Sequence, residues 1–168
     1  AVRGEPDLAE AHYTLGLIAE LAGSGHETVH FREARRLDPE RFPADFQYSR
    51  TEFEEIIEEA VSELPVEIAD SMADYPIIVA ELPVVTEMRR MDPPISPLSL
   101  AVFFGITQHS PSGREEHQPG LLLFKRNVER AFRDREMMVA GLRQTVIEEF
   151  AQALGYSQDE LEEGPEPS

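Results

Sequence analysis

From about Arg135 to Gly155, apolar residues recur at three- and four-residue intervals: Val139, Leu142, Val146, Phe150 and Leu154. That spacing predicts one long amphipathic helix, and Gly155 supplies its stop. A helix of this length shows one face to water and needs a core for the other. The chain has 168 residues and 41% hydrophobic content, enough for one moderate core, or for one small domain with an appended element.

Charge narrows the partners. With 33 acidic against 15 basic residues and a formal charge of −18, most of the surface repels a phosphate backbone, so nucleic acid is excluded as a partner. There is no cysteine, which rules out a disulfide framework and any thiolate ligand or nucleophile and fits a reducing compartment. No apolar run approaches the roughly 20 residues a membrane helix needs, and no signal peptide is visible. The expectation is a soluble, cytoplasmic protein with no membrane partner. The opening Ala1-Val2-Arg3-Gly4-Glu5-Pro6 has no initiator Met and runs straight into a helical pattern, which reads as a fragment of a longer protein.

Residues 7 to 39 read as two helices. Leu8, Ala11, Leu15, Ile18 and Ala22 keep helical spacing up to Gly23-Ser24-Gly25; Val29, Phe31, Ala34 and Leu37 follow, and Pro39 closes the pair. The apolar stripes predict packing through Leu15, Ile18, Val29, Phe31 and Ala34, with Gly16 and Ala34 small enough to bring the helices close. A polar connector from Arg41 to Tyr48 marks a boundary. The next helix sets Phe53, Ile56, Ile57, Ala60, Val61 and Leu64 against a solvated face of Glu52, Glu54, Glu55, Glu58 and Glu59, and Pro65 ends it.

Val66 to Met72 adds a short helical turn. Three strands are then expected: a buried one from Pro76 to Pro83, a second from Leu98 to Ile106, and a third at Leu121 to Phe124. Met91 to Pro97 is a proline-rich loop, and Thr107 to Gln118 is a polar excursion. The pattern turns helical again from Asn127 to Phe132. After the long helix, Ser157 and Glu160 have the spacing of a capping box, and residues 164–168 form a disordered tail. Strands and helices in this order make an α+β domain with a small sheet of three or more strands and a long helix, preceded by an α-helical hairpin.

Two resemblances follow from these landmarks. Ala11-x3-Leu15-Gly16 with Phe31-x2-Ala34-x4-Pro39 resembles a single tetratricopeptide repeat over residues 1–45, with His12 where that family prefers an aromatic. One repeat cannot bury its own faces, so it implies an array or a cap. Ser62-Glu63-Leu64-Pro65, Leu100-Ala101-Val102-Phe103-Phe104-Gly105, Pro119-Gly120-Leu121-Leu122-Leu123-Phe124 and Thr145 to Gly155 together resemble the minimal zincin-like metallopeptidase domain, over residues 46–163.

That family carries His-Glu-x-x-His-x-x-Gly on a helix: two imidazoles one turn apart hold zinc, and the Glu is the general base. On that pattern this sequence places Glu148 and Gln152 at the histidines, Glu149 at the base, Gly155 at the glycine and Gln158 near an acidic third ligand, with Asp159 one residue away. A Gln amide is a weak oxygen donor, so the resemblance implies a degenerate site from which zinc is absent. Zinc lowers the pKa of its water from about 16 to about 7, on the order of 12 kcal/mol of activation. General-base help from Glu149 alone supplies roughly 3 to 5 kcal/mol.

Other chemistry is thinner. His109 and His117, with Glu115 and Glu116 nearby, lack a ligand spacing and read as solvated. His26 and His30 are four apart on a helix without an evident third ligand and read as structural. Ser110-Pro111-Ser112-Gly113 is a turn, not a nucleophile motif. Glu148, Glu149, Asp159 and Glu160 offer carboxylates to a hard divalent cation, but adjacent helical residues diverge by about 100°. The leading expectation is a non-catalytic protein- or peptide-binding protein with Glu149 as a vestigial base. The alternatives are a metal-dependent peptidase using unusual ligands around Glu149, and a structural cap of a repeat array.

Overall fold

The computed structural model describes residues 6–44, 47–91, 94–109 and 115–154. The chain forms two compact units, one of Ala1–Asp45 with Pro83–Pro97, the other of Phe46–Leu82 with Leu98–Ser168. Among the described residues, no helix is long and apolar enough to cross a membrane.

In the first unit, α1 (Pro6–Leu21) and α2 (Glu27–Leu37) make the expected hairpin. Gly23 and Gly25 carry the turn at φ of 61° and 75°, a region that suits glycine because it has no Cβ. The packing follows the stripe read in the sequence at Phe31 and Ala34 and departs from it at the other three positions. Leu15, Ile18 and Val29 are exposed, at 46%, 57% and 62%, whereas Ala9 and Ala34 are fully buried. The contact is instead made by small and aromatic residues: Tyr13 meets Phe31 at 5.6 Å and stacks on Phe42 at 4.7 Å. Leu15 and Ile18 are apolar at the right period, yet the helices close on the neighbouring face because Gly16 lets the Phe31 ring in.

A Cβ on Gly16 would stand 2.6 Å from Phe31 Cε1. Gly16→Val is therefore expected to lower stability by about 1–3 kcal/mol through overpacking. Equilibrium denaturation checks this, and an unchanged midpoint would contradict the observed contact. The first unit also holds the short helix α5 (Val85–Met88), which the proline-rich sequence around it did not suggest.

The second unit begins at α3 (Arg50–Ser62), for which Ser49 and Glu52 form a reciprocal capping box that satisfies two backbone N–H groups. α3 buries Phe53, Ile56, Ile57 and Ala60, as its stripe predicts. α4 (Val66–Met72) follows, then the sheet: β1 (Ile77–Ala80), β2 (Ala101–His109) and β3 (Glu115–Phe124), in spatial order β1-β3-β2. β1 runs parallel to β3, with Ile77 opposite Leu121; β2 runs antiparallel, with Phe103 opposite Leu121.

Two expectations change here. β1 is a short edge strand with Ile78 exposed, not a buried strand spanning 76–83. The polar segment 107–118 is no excursion from the sheet: β2 and β3 extend into it as paired strands out to His109 opposite Glu115. Antiparallel pairing leaves one side of a ladder free to face water, so polar residues do not end a strand there. Residues 110–114 and 155–168 lie outside the described residues, and with them Ser110, Ser112, Ser157, Gln158, Asp159, Glu160 and the tail.

α6 (Lys125–Ala131) continues directly from β3, and α7 (Arg135–Leu154) closes the described chain. The core gathers Phe53, Ile56, Leu121, Leu123, Val128, Met138, Leu142, Val146 and Phe150. The long helix thus buries Leu142, Val146 and Phe150 as its period requires, while the side chain of Leu154 is outside the described set. Gly141 marks a close approach, since a Cβ there would run into the Phe132 ring.

Candidate functional site

The site read from the sequence lies on the last turns of α7, and the sheet explains how it is built. Leu121 donates its N–H to Pro76 O on the β1 side. Opposite it on β2, the N–H of Phe103 therefore points away from β3, toward the edge that no described strand covers. α7 runs against this edge, and the Phe103 N–H donates to Glu149 Oε2 at 3.3 Å.

One residue further on, Phe150 turns into the core and fixes the rotation of the helix. It is 2% exposed and meets Tyr75 at 5.5 Å and Phe103 at 5.9 Å, both edge-to-face. Tyr75 and Phe103 complete the triangle at 5.4 Å. The half-buried Glu149 is thus anchored from both sides: its backbone by this ring cluster, its carboxylate by the edge strand.

Glu148 and Gln152, at the two ligand positions, are one turn apart on α7, and both are exposed. Glu148 Oε1 accepts a hydrogen bond from Gln144 Nε2 at 2.8 Å. Among the described residues, no group of three or more His, Asp or Glu side chains could hold a metal ion. A shallow groove exists elsewhere, between α3 and β1, lined by Arg50, Glu54, Ile57, Glu58, Ile77, Ile78 and Val79. It holds none of the candidate residues.

Burial pushes the Glu149 carboxyl above the usual carboxylate range; the Phe103 hydrogen bond opposes the shift and the neighbouring Glu148 charge adds to it. The sign of the linkage follows. The folded chain holds this proton more tightly than the unfolded one, so the contribution of Glu149 to stability is greatest below about pH 4.3, the free-glutamate value. It declines as pH rises through the raised folded value and is flat above. Glu149→Gln keeps an acceptor for Phe103 and removes the titration, so the variant is expected to gain on the parent as pH rises through that window. Melting temperatures of both proteins between pH 4 and 8 check this, and a difference that shrinks with rising pH would contradict it.

The histidines are arranged differently from their sequence spacing. His26 sits at the N-cap of α2 without a side-chain capping bond and is exposed. His30 instead faces His12 on α1, with their Nδ1 atoms 3.2 Å apart. The signal was the replacement of an expected aromatic by His12 at an interhelical position. His109 and His117 fall on the paired ends of β2 and β3, with His117 opposite Thr107, and their side chains are outside the described set.

A buried ionic cluster was also missed. Lys125 Nζ lies 2.7 Å from Glu129 Oε1, and both side chains are buried. The same oxygen accepts the Tyr48 N–H at 2.8 Å, and an Arg126 guanidinium nitrogen is 3.8 Å from the other oxygen. The i, i+4 spacing of Lys125 and Glu129 was visible, but it usually marks a solvated helix face.

Residues 72–165 match a protein family described as zincin-like metallopeptidase. No curated protein matches the chain.

Proposed function

The chain belongs to the zincin-like metallopeptidase family, and from that premise we propose that it is a non-catalytic member whose peptidase-like domain binds protein or peptide. One observation carries the reading: α7 directs its base, Glu149, onto a backbone amide of the sheet, while the ligand positions hold exposed Glu148 and Gln152 in place of imidazoles. Without imidazole ligands the helix is a poor zinc chelator, and without zinc the water near Glu149 keeps an unactivated pKa. Beyond the Phe103 amide that Glu149 takes, the edge of β2 that no described strand covers offers backbone groups to an extended chain. The hairpin, read as a tetratricopeptide repeat unit, and a reducing cytoplasmic setting belong to this proposal.

The enzyme reading has one point in its favour, since a carboxyl pushed up by burial suits a general base. Zinc binding and hydrolysis separate the two. The unmodified chain is expected to leave casein and short peptides uncut with zinc present. Glu148→His with Gln152→His and Gln158→Asp is expected to add one zinc equivalent of micromolar or tighter affinity. Zinc-dependent cleavage by the parent, lost in Glu149→Gln, would overturn the non-catalytic reading. Failure of a folded triple variant to gain that equivalent would count against α7 as a former ligand helix.

A further inference from the structure

We infer that His12 and His30 form a two-imidazole binding site for a divalent late transition-metal ion of the copper, nickel and zinc class. The rings meet through like atoms, Nδ1 to Nδ1 at 3.2 Å, with centroids 5.5 Å apart and planes inclined at 35°. Two nitrogens 3.2 Å apart subtend about 103° at an ion about 2.05 Å from each, close to the tetrahedral angle. The separation is therefore already that of two ligands of one ion.

The sequence explains why it is held there. Gly16, one turn beyond His12, lets α2 approach until Phe31 lies against α1, and His30 is the residue before Phe31. Both imidazoles are half-buried, fixed by helix packing yet reachable from solvent. Glu33, one turn beyond His30, is held by Arg36.

The chemistry balances without a co-reactant. In the metal-free pair one Nδ1 carries the shared proton and the other accepts it. On binding, that proton moves to Nε2 of its own ring, both Nδ1 lone pairs go to the ion, and water fills the remaining positions. Imidazole donors favour copper, nickel and zinc, whereas magnesium and calcium prefer oxygen. None of this depends on α7 or on the reading of Glu149.

The chain has five histidines, which makes the imidazole region of an NMR spectrum easy to resolve. Substoichiometric Cu²⁺ added to the full chain is expected to broaden the His12 and His30 ring signals together, before those of His26, His109 and His117. Zn²⁺ titration is expected to show one equivalent, weakened at least about tenfold by His12→Gln or by His30→Gln. His26→Gln and the double variant His109→Gln with His117→Gln should leave it unchanged. Even broadening of all five histidines, full retention of binding in His12→Gln, or a zinc Kd above about 1 mM would overturn the site. The broadening pattern is read on the parent protein, so the outcome stands even where a variant folds poorly.

Discussion

Replacing Glu129 by alanine is expected to destabilise the second unit by about 3–5 kcal/mol, because it strands a buried ammonium. Lys125 and Glu129 are each all but removed from solvent, and one carboxylate oxygen takes both the Lys125 Nζ and the Tyr48 N–H. Removing that oxygen leaves Lys125 facing the Phe53 ring, whose centroid is 5.8 Å away, as its remaining described contact. It also deprives the entry to α3 of a tether, since Tyr48 immediately precedes the Ser49 cap. The double variant Lys125→Met with Glu129→Leu removes both charges at similar volume and is expected to recover most of the loss. Urea denaturation of the parent, single and double variants settles it. A single variant within about 1 kcal/mol of the parent, or a double variant worse than the single, would show that the charges are better hydrated than their burial implies.

The second large effect is expected at Phe150. Phe150→Ala should cost about 3–5 kcal/mol, since the ring is buried and its removal opens a cavity between α7 and the sheet. Two edge-to-face contacts, with Tyr75 and Phe103, are lost along with the buried area. Phe150→Leu keeps part of the volume and should cost clearly less. Equal costs for the two variants, or a cost for alanine below about 1 kcal/mol, would mean that α7 turns a different face inward. Because Phe103 bears on the same ring and donates to Glu149, alanine should also loosen the Glu149 anchor.

The helices of the second unit were legible because their apolar period is regular: Phe53, Ile56, Ile57 and Ala60 on α3, and Leu142, Val146 and Phe150 on α7, all point where spacing puts them. The first unit obeyed the same rule at Phe31 and Ala34 but not at Leu15, Ile18 and Val29. α1 carries apolar residues on more than one side, so the period alone did not say which side closes, and the decision fell to Gly16 and the Phe31 ring. β2 and β3 were underestimated because hydrophobicity stops near Gly105 and resumes near Leu121, while ladder pairing needs only backbone groups and continues to His109 and Glu115. At the site, the sequence named Glu148, Glu149 and Gln152 in their order along α7. It could not say that Glu149 would be bound to a strand, because that bond depends on the register that turns the Phe103 N–H outward. His12 with His30, and the burial of Lys125 and Glu129, depend on contacts between elements, which no local pattern records.

The carboxylate lodged against Phe103 also bears on self-association. The edge of β2 that no described strand covers is a template for another strand, and the nearest other strand in a concentrated solution is the β2 of a second copy. Pairing two such edges would set two Glu149 side chains on one seam, partly dehydrated and of like sign, on molecules that each carry a charge of −18. A foreign strand bringing a lysine or arginine to that seam would meet the opposite charge. A charged residue in the position of a peptidase base would thus disfavour pairing of two copies along this edge.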